Sequence, residues 1–382
     1  MSASVETFKN IFQAWGAAVR ARFAGHFALI AIFVPIALVV LGLGAYGVWW
    51  RTVADNMREQ VVAFQTLQRS LGRDVRWESF AIDGFPYRVD GTVSTLHFTA
   101  PDRGSAWDSE RLVVRVPPLS SGRVAVSFEG QQHYFYARER WIETNAQADK
   151  ALLTIAAGKD GRDLAKLDIE RLTGKAKLDE TDFNFIVAAA TGGLIVAAPK
   201  TQGALPQVDA SARLENVALQ GGFDLPLGPA IQLIALDLRA DLPAKLAEPS
   251  FAALMAAWRR LGTPIEVKTF DLDWGGITVG AKGTFTLDQN AMPEGRFSLT
   301  LGNHPRILEL LEAHGWIDAA TRATTKKVLD VLAFVSGDKQ RRVTVPLRIE
   351  KGDIYVGPVK IATLMPAPTA SMQMAPMEAS AP

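Results

Sequence analysis

Residues Phe27 to Trp50 form a run of 24 residues without a single charge, FALIAIFVPIALVVLGLGAYGVWW. No other stretch constrains the chain as strongly. As a helix it reaches about 36 Å, enough to cross a hydrocarbon core of about 30 Å. Lys9, Arg20 and Arg22 precede it against one acid, Glu6, whereas Arg51 and Arg58 on the far side are mixed with Asp55 and Glu59. The basic excess on the N-terminal side predicts a cytoplasmic N-terminus over residues 1–26 and export of everything after the span. Tyr46, Trp49 and Trp50 stand at the far end, where amphipathic rings favour the headgroup layer, and Pro35 falls mid-span. A cleaved signal peptide is the rival reading, with small residues at Gly42, Gly44, Ala45 and Gly47 for a cleavage site. Signal peptides have apolar cores of only about 7–15 residues, so an uncleaved single-pass anchor is the expectation.

Phe8, Ile11, Phe12, Trp15, Val19 and Phe23 recur at helical steps in the leader. The stripe fits either a helix lying on the inner leaflet or a frayed terminus. The full chain carries 41 basic and 40 acidic residues, a net charge of +1, with the signs interspersed. No basic stripe is present to follow a phosphate backbone, so nucleic acid is not an expected partner. The absence of cysteine excludes disulfides, thiolate zinc sites and cysteine nucleophiles. The Pro/Ala/Ser/Met-rich stretch 366–382 reads as a disordered tail.

After the span, Val53, Met57, Val61, Phe64, Leu67 and Leu71 keep a helical stripe that Gly72 stops, which predicts a stalk helix over 51–72. The period then changes to two. Val124, Val126 and Phe128 alternate with Ala125, Ser127 and Glu129. Ile277, Val279, Ala281, Gly283, Phe285 and Leu287 alternate with a polar set, and a link over 289–295 leads to Phe297, Leu299 and Leu301. Such runs predict antiparallel hairpins with one wet face, and roughly 13 to 16 of them fill 73–365 as a meander. Helical spacing interrupts them near 250–262, 305–315 and 318–336, the last capped by Asp318. The expected fold is mainly β (α+β): a transmembrane helix, then a long curved antiparallel sheet with a few packed helices.

The chemical motifs are weak. Gly42-Leu-Gly-Ala-Tyr-Gly47 matches GxGxxG but lies inside the apolar span, where no pyrophosphate sits. His304, Glu309, Glu312 and His314 cluster in sequence, yet His304 precedes a helix-starting proline and His314 ends that helix. Capping or surface positions are therefore expected, and no metal. Asp271 and Asp273 share one strand face opposite Phe270, Leu272 and Trp274, an ordinary solvated side. There is no GxSxG, P-loop or kinase set, so no catalytic residue and no cofactor are expected. Gly84, Phe85, Pro86, Tyr87 and Arg88 form the most distinctive exported motif. It reads as a proline-bearing lead into a strand that sets two rings in the core, or as an aromatic contact point for a ligand or partner.

Three blocks carry a family likeness: WESFAIDGFPYRVD (Trp77–Asp90), DWGGITVGAKGTFTLDQNAMPEGRFSLTLGN (Asp273–Asn303) and VPLRIEKGDIYVGPVKIATLMP (Val345–Pro366). With the anchor before them, they resemble the alphaproteobacterial envelope proteins grouped as domain of unknown function 2125. That resemblance implies no activity. The architecture is also similar to AsmA-like envelope proteins, in which an anchored sheet curls into an apolar groove, and lipid handling is implied by that analogy alone. On this basis the expected role is non-enzymatic binding of membrane lipid, or another apolar ligand, in a groove lined by Ile277, Val279, Phe285, Leu287, Phe297 and Leu299. The alternative is a dry-cored module that engages other envelope proteins.

Overall fold

In the computed structural model, residues 41–363 are described except 118–121, 139, 159–161, 200, 202, 223, 244–250, 290–291, 316, 337–341 and 357–358. The leader, residues 27–40 of the apolar run and the tail therefore lie outside the described residues. The helix α1 occupies 41–70 and ends in a turn closed by Gly72 at φ 75°. Among the described residues no helix is long and apolar enough to cross a membrane.

Among the described residues sixteen strands follow, and every described pairing among them is antiparallel. They run β1 (Asp74–Arg76), β2 (Ser79–Asp83), β3 (Val89–Ala100), β4 (Ser105–Val116), β5 (Arg123–Ala137), β6 (Trp141–Ala157), β7 (Arg162–Leu178) and β8 (Thr181–Ala197). They continue as β9 (Gln207–Gln220), β10 (Ala230–Asp241), β11 (Ile265–Trp274), β12 (Ile277–Leu287), β13 (Pro293–Gly302), β14 (Val343–Glu350), β15 (Asp353–Val356) and β16 (Val359–Thr363). From β3 onward each strand pairs with its successor, while β1 and β2 both pair with the free side of β3. The protein is thus mainly β, one long open sheet. Among the described residues three helices, α2 (Phe251–Leu261), α3 (His304–Ala313) and α4 (Ala319–Ser336), interrupt it. The link between β12 and β13 is shorter than the 289–295 expected, because Pro293 to Gly295 already pair with Leu287 to Phe285. Proline is tolerated there as the first residue of its strand.

The register aligns one apolar row across twelve strands. Gly91, Val114, Val126, Leu153, Leu167, Gly192, Ala212, Leu236, Phe270, Ala281, Leu299 and Val345 stand directly opposite one another in turn. One residue along, on the other face, the same ladders hold Thr154, Lys166, Gly193, Ser211, Asp237 and Thr269. The sheet is one-sided because opposite residues share a face and successive residues do not.

A seam crosses this pattern. Thr95, Gly130, Arg171 and Asn216 take left-handed φ of 50°, 72°, 47° and 50° inside β3, β5, β7 and β9, alternate strands of the sheet. At the seam the apolar step is three residues rather than two: Val93 to Leu96, Ala148 to Ala151, Ile169 to Leu172, Val187 to Ala190 and Leu214 to Val217. Between the members of most of these pairs lie two polar residues, such as Asp149–Lys150 and Glu170–Arg171. Ile169 and Leu172 nevertheless pack in the same cluster, with Val187, Ala190 and Val217. The left-handed residue absorbs the phase change and keeps the apolar face on one side.

Among the described residues, helices cover the two ends of that face and, through α2, one margin of β8 to β12. At the first end Met57 of α1 lies against Gly91 beside Phe80, Ala54 is fully buried, and the Gln65 amide donates to the Val75 carbonyl at 2.8 Å. At the far end Leu308, Leu329 and Ala333 of α3 and α4 pack on Val343 and Val345, with Leu299, Leu301 and Val356 around them. Trp258 of α2 joins Val208, Ala240, Ile265 and Phe285. The cluster between, on β7 to β10, contains strand residues alone. Leu308 is 4% exposed, so Leu308→Ala removes a fully packed side chain and is expected to cost about 3 kcal/mol, read as a lower urea midpoint in detergent solution.

Candidate functional site

Burial along the apolar row follows helix coverage. Gly91 and Val345 at its ends are buried; Val114 to Leu299 between them are only partly buried, and Ala212 is exposed. On the same strip Ile155 and Leu194 are 47% and 43% exposed. The centre is also shallow in side-chain volume. Leu167, Gly192 and Ala212 are neighbours in one row, flanked by Ala165–Leu194–Ala210 and Ile169–Ala190–Leu214. A Cβ built on Gly192 meets nothing closer than Leu167 Cβ at 3.7 Å. From β5 to β10 the strip spans five inter-strand gaps, about 24 Å at 4.8 Å each.

The six groove residues expected from the sequence do share this face, but at its helix-covered end. Ile277 and Leu287 are buried. Leu299 packs into the α3–α4 cluster and Phe285 into the one with Trp258. Phe285 and Phe297 stack on each other at 6.2 Å, each directly opposite a glycine, Gly295 and Gly283. Val279 sits between Leu272 and Leu301. The bare middle strip was not singled out from sequence, because its Ala and Gly residues carry little strand signal.

The Gly84–Arg88 motif is placed otherwise than its core reading had it. Phe85 is 58% and Tyr87 82% exposed. The turn leans on α1: the Tyr46 hydroxyl donates to the Pro86 carbonyl, Trp50 Nε1 donates to the Arg88 carbonyl at 2.8 Å, and the Phe85 ring meets Trp50 edge-on at 5.5 Å. Gly84, at φ 98°, lets the chain turn where a Cβ would strike the Arg88 carbonyl.

The polar face carries a titratable chain absent from the sequence reading. His97 Nδ1 lies 2.8 Å from Asp108, His133 Nδ1 3.2 Å from the other Asp108 oxygen, and His133 Nε2 3.1 Å from Glu143. His97, Asp108 and His133 are directly opposite on β3, β4 and β5, and His133 reaches Glu143 on β6. Partial burial opposes charge on His133, but its hydrogen bonds to Asp108 and Glu143 outweigh that and hold its pKa above 6.5. Asp108 is likewise partly desolvated, and its two histidine partners hold it below 3.8. Among the described residues no group of three or more His, Cys, Asp or Glu is arranged to hold a metal. The raised histidine contributes stability below pH 6.5 that is lost as pH rises through its folded value, while the lowered aspartate's contribution is lost only as pH falls through its own, below 3.8. His133→Gln is therefore expected to flatten the decline of thermal midpoint above pH 6.5, measured beside the unaltered chain.

Elsewhere His304 is not a surface residue: it is 4% exposed, with Nε2 2.9 Å from Asp330, and it ties α3 to α4. His314 does cap α3, with Nδ1 2.9 Å from the Leu310 carbonyl. Asp318 caps α4, accepting from the Thr321 amide at 2.6 Å, and that backbone bond holds its carboxyl below the usual range.

No curated protein and no solved structure matches the chain. Residues 50–365 match the family described as "Uncharacterized protein conserved in bacteria (DUF2125)". That span takes in α1 from Trp50 and every strand of the sheet, so the chain belongs to the DUF2125 family of uncharacterized bacterial proteins.

Proposed function

We propose that the apolar run 27–50 anchors the protein in a bacterial inner membrane, N-terminus in the cytoplasm, and that the exported sheet holds lipid acyl chains on the bare middle of its apolar face. The observation that carries this reading is the uncharged row from Gly91 to Val345: among the described residues its two ends pack against helices, α2 reaches only one margin of β8 to β12 through Trp258, and the cluster across β7 to β10 is made of strand residues alone. Exposed contiguous apolar surface is costly in water and marks a place where an apolar partner sits. The strip of about 24 Å exceeds the roughly 15 Å depth of one bilayer leaflet's hydrocarbon, half of about 30 Å, so it accommodates an extended acyl chain. The left-handed residues on β3, β5, β7 and β9 support a curved sheet, since such irregularities bend strands and increase their twist. No covalent chemistry is required of it.

The test is lipid extraction and native mass spectrometry of the full chain purified in mild detergent. Bound phospholipid is expected. A chain that never carries lipid and takes up no fluorescent phospholipid overturns the reading, and favours a module engaging other envelope proteins.

A further inference from the structure

We infer that the Gly84–Arg88 turn is a second membrane contact, a lipid-facing foot that places Phe85 and Tyr87 in the headgroup layer beside α1. The inference rests on the reading of 27–50 as a span and goes beyond it. Tyr46 is the twentieth residue of the apolar run, and about 20 helical residues cross the hydrocarbon core. Trp50 lies a further four residues on, about 6 Å along the axis. Among the described residues, the side chains of Tyr46 and Trp50 donate to the turn, at the carbonyls of Pro86 and Arg88. The turn is thereby fixed at the depth where the run passes from hydrocarbon to headgroups.

The chemistry of the turn suits that depth. Phe85 bridges the Tyr46 and Trp50 rings at 6.4 and 5.5 Å, and Tyr46 lies 5.4 Å from Trp49. Phe85 thus continues the aromatic cluster of the helix sideways, on the sheet side. Tyr87 has no ring partner among the described contacts and is 82% exposed, an amphipathic ring presented outward. Trp and Tyr are enriched at this interface because the ring is apolar and its N–H or O–H stays wet. Arg51 and Arg88 lie at the same level, where lipid phosphates are anionic; Arg88 is half exposed, with its guanidinium 2.7 Å from Asp90. A span alone leaves the sheet free to swing about the helix end. A second foot on β2–β3 fixes the first edge of the sheet against the bilayer.

The chain's lack of cysteine allows single labels in the full protein. Leu43→Cys, Tyr87→Cys and Asn184→Cys are each labelled with an environment-sensitive nitrobenzoxadiazole. Each is reconstituted in phosphatidylethanolamine–phosphatidylglycerol vesicles with or without doxyl-labelled lipid. Position 87 is expected to be blue-shifted and quenched severalfold more than position 184, most strongly by a shallow doxyl group, with position 43 quenched by a deep one. Quenching at 43 with none at 87 overturns the foot and leaves the anchor standing. Quenching at neither overturns both. A blue shift at 87 without lipid quenching means that protein, a second copy of the chain, covers the turn, and overturns the inference. Tyr87 is too exposed for its replacement to disturb packing, so a null result reads on the contact and not on the fold.

Discussion

Gly192→Trp is expected to strip the sheet of lipid while leaving it folded. Gly192 is one of two glycines in the apolar row and stands between Leu167 and Ala212 at the centre of the bare strip. Its φ is not in the left-handed region, and an added Cβ finds ordinary contact distance, 3.7 Å to Leu167 Cβ and 4.0 Å to the Ser211 carbonyl. A side chain there projects into the space that an acyl chain would fill. An indole buries roughly 150–250 Å², and at about 25 cal/mol per Å² the blocked contact is worth several kcal/mol of ligand binding. Converted at about 1.4 kcal/mol per decade, retention falls at least a hundredfold. Phospholipid per protein by mass spectrometry, after delipidation and re-addition, is the readout. Lipid around the anchor is untouched by the substitution, so any residual signal equals that background. If Gly192→Trp retains as much lipid as the unaltered chain, the strip is not where lipid sits.

The legible part of this fold was its period. Ile277 to Leu287 alternates without a fault over eleven residues, and β12 is those residues. Strands β6 to β9 were harder to read, for two physical reasons. Their apolar positions are often Ala or Gly, which favour strands weakly. The left-handed seam also shifts the phase by one residue, so Ile169 and Leu172 occupy one face while a strict two-residue count puts them on opposite faces. A signal was present in the doubled polar residues Asp149–Lys150 and Glu170–Arg171, each flanked by apolar alternation in opposite phase. The histidine chain had no local signal at all. His97, Asp108, His133 and Glu143 are far apart in sequence and meet only through the register of four consecutive strands. The exposed rings of the Gly84–Arg88 turn depend on the placement of α1 against β3, a long-range contact that no sequence spacing reports.

Gly283→Ala and Gly295→Ala are expected to destabilise the protein, in contrast to Gly192→Ala on the same face of the same sheet. None of these glycines has a left-handed φ, so space alone decides. A Cβ at Gly283 would stand 2.2 Å from the Arg296 carbonyl and 2.7 Å from Phe297 Cα; one at Gly295 would stand 2.3 Å from the Thr284 carbonyl. These are backbone atoms of paired strands and cannot rotate away. The two aromatic rings opposite these glycines, Phe297 and Phe285, stack over the gap that the missing side chains leave. A methyl group there must push β12 and β13 apart and unstack the pair, an overpacking cost of about 1–3 kcal/mol for each site. Gly192→Ala meets no such atom, and loss of unfolded-chain entropy favours it by about 0.4–1 kcal/mol. Urea midpoints in detergent solution should therefore fall for Gly283→Ala and Gly295→Ala and hold or rise for Gly192→Ala. The double variant Gly283→Ala/Gly295→Ala should cost less than the sum of the singles, because the residues are coupled through one ring stack. Equal midpoints for all three singles would mean that β12 and β13 relax freely there, and that the rings do not fix the strand pair that carries α2 and α3.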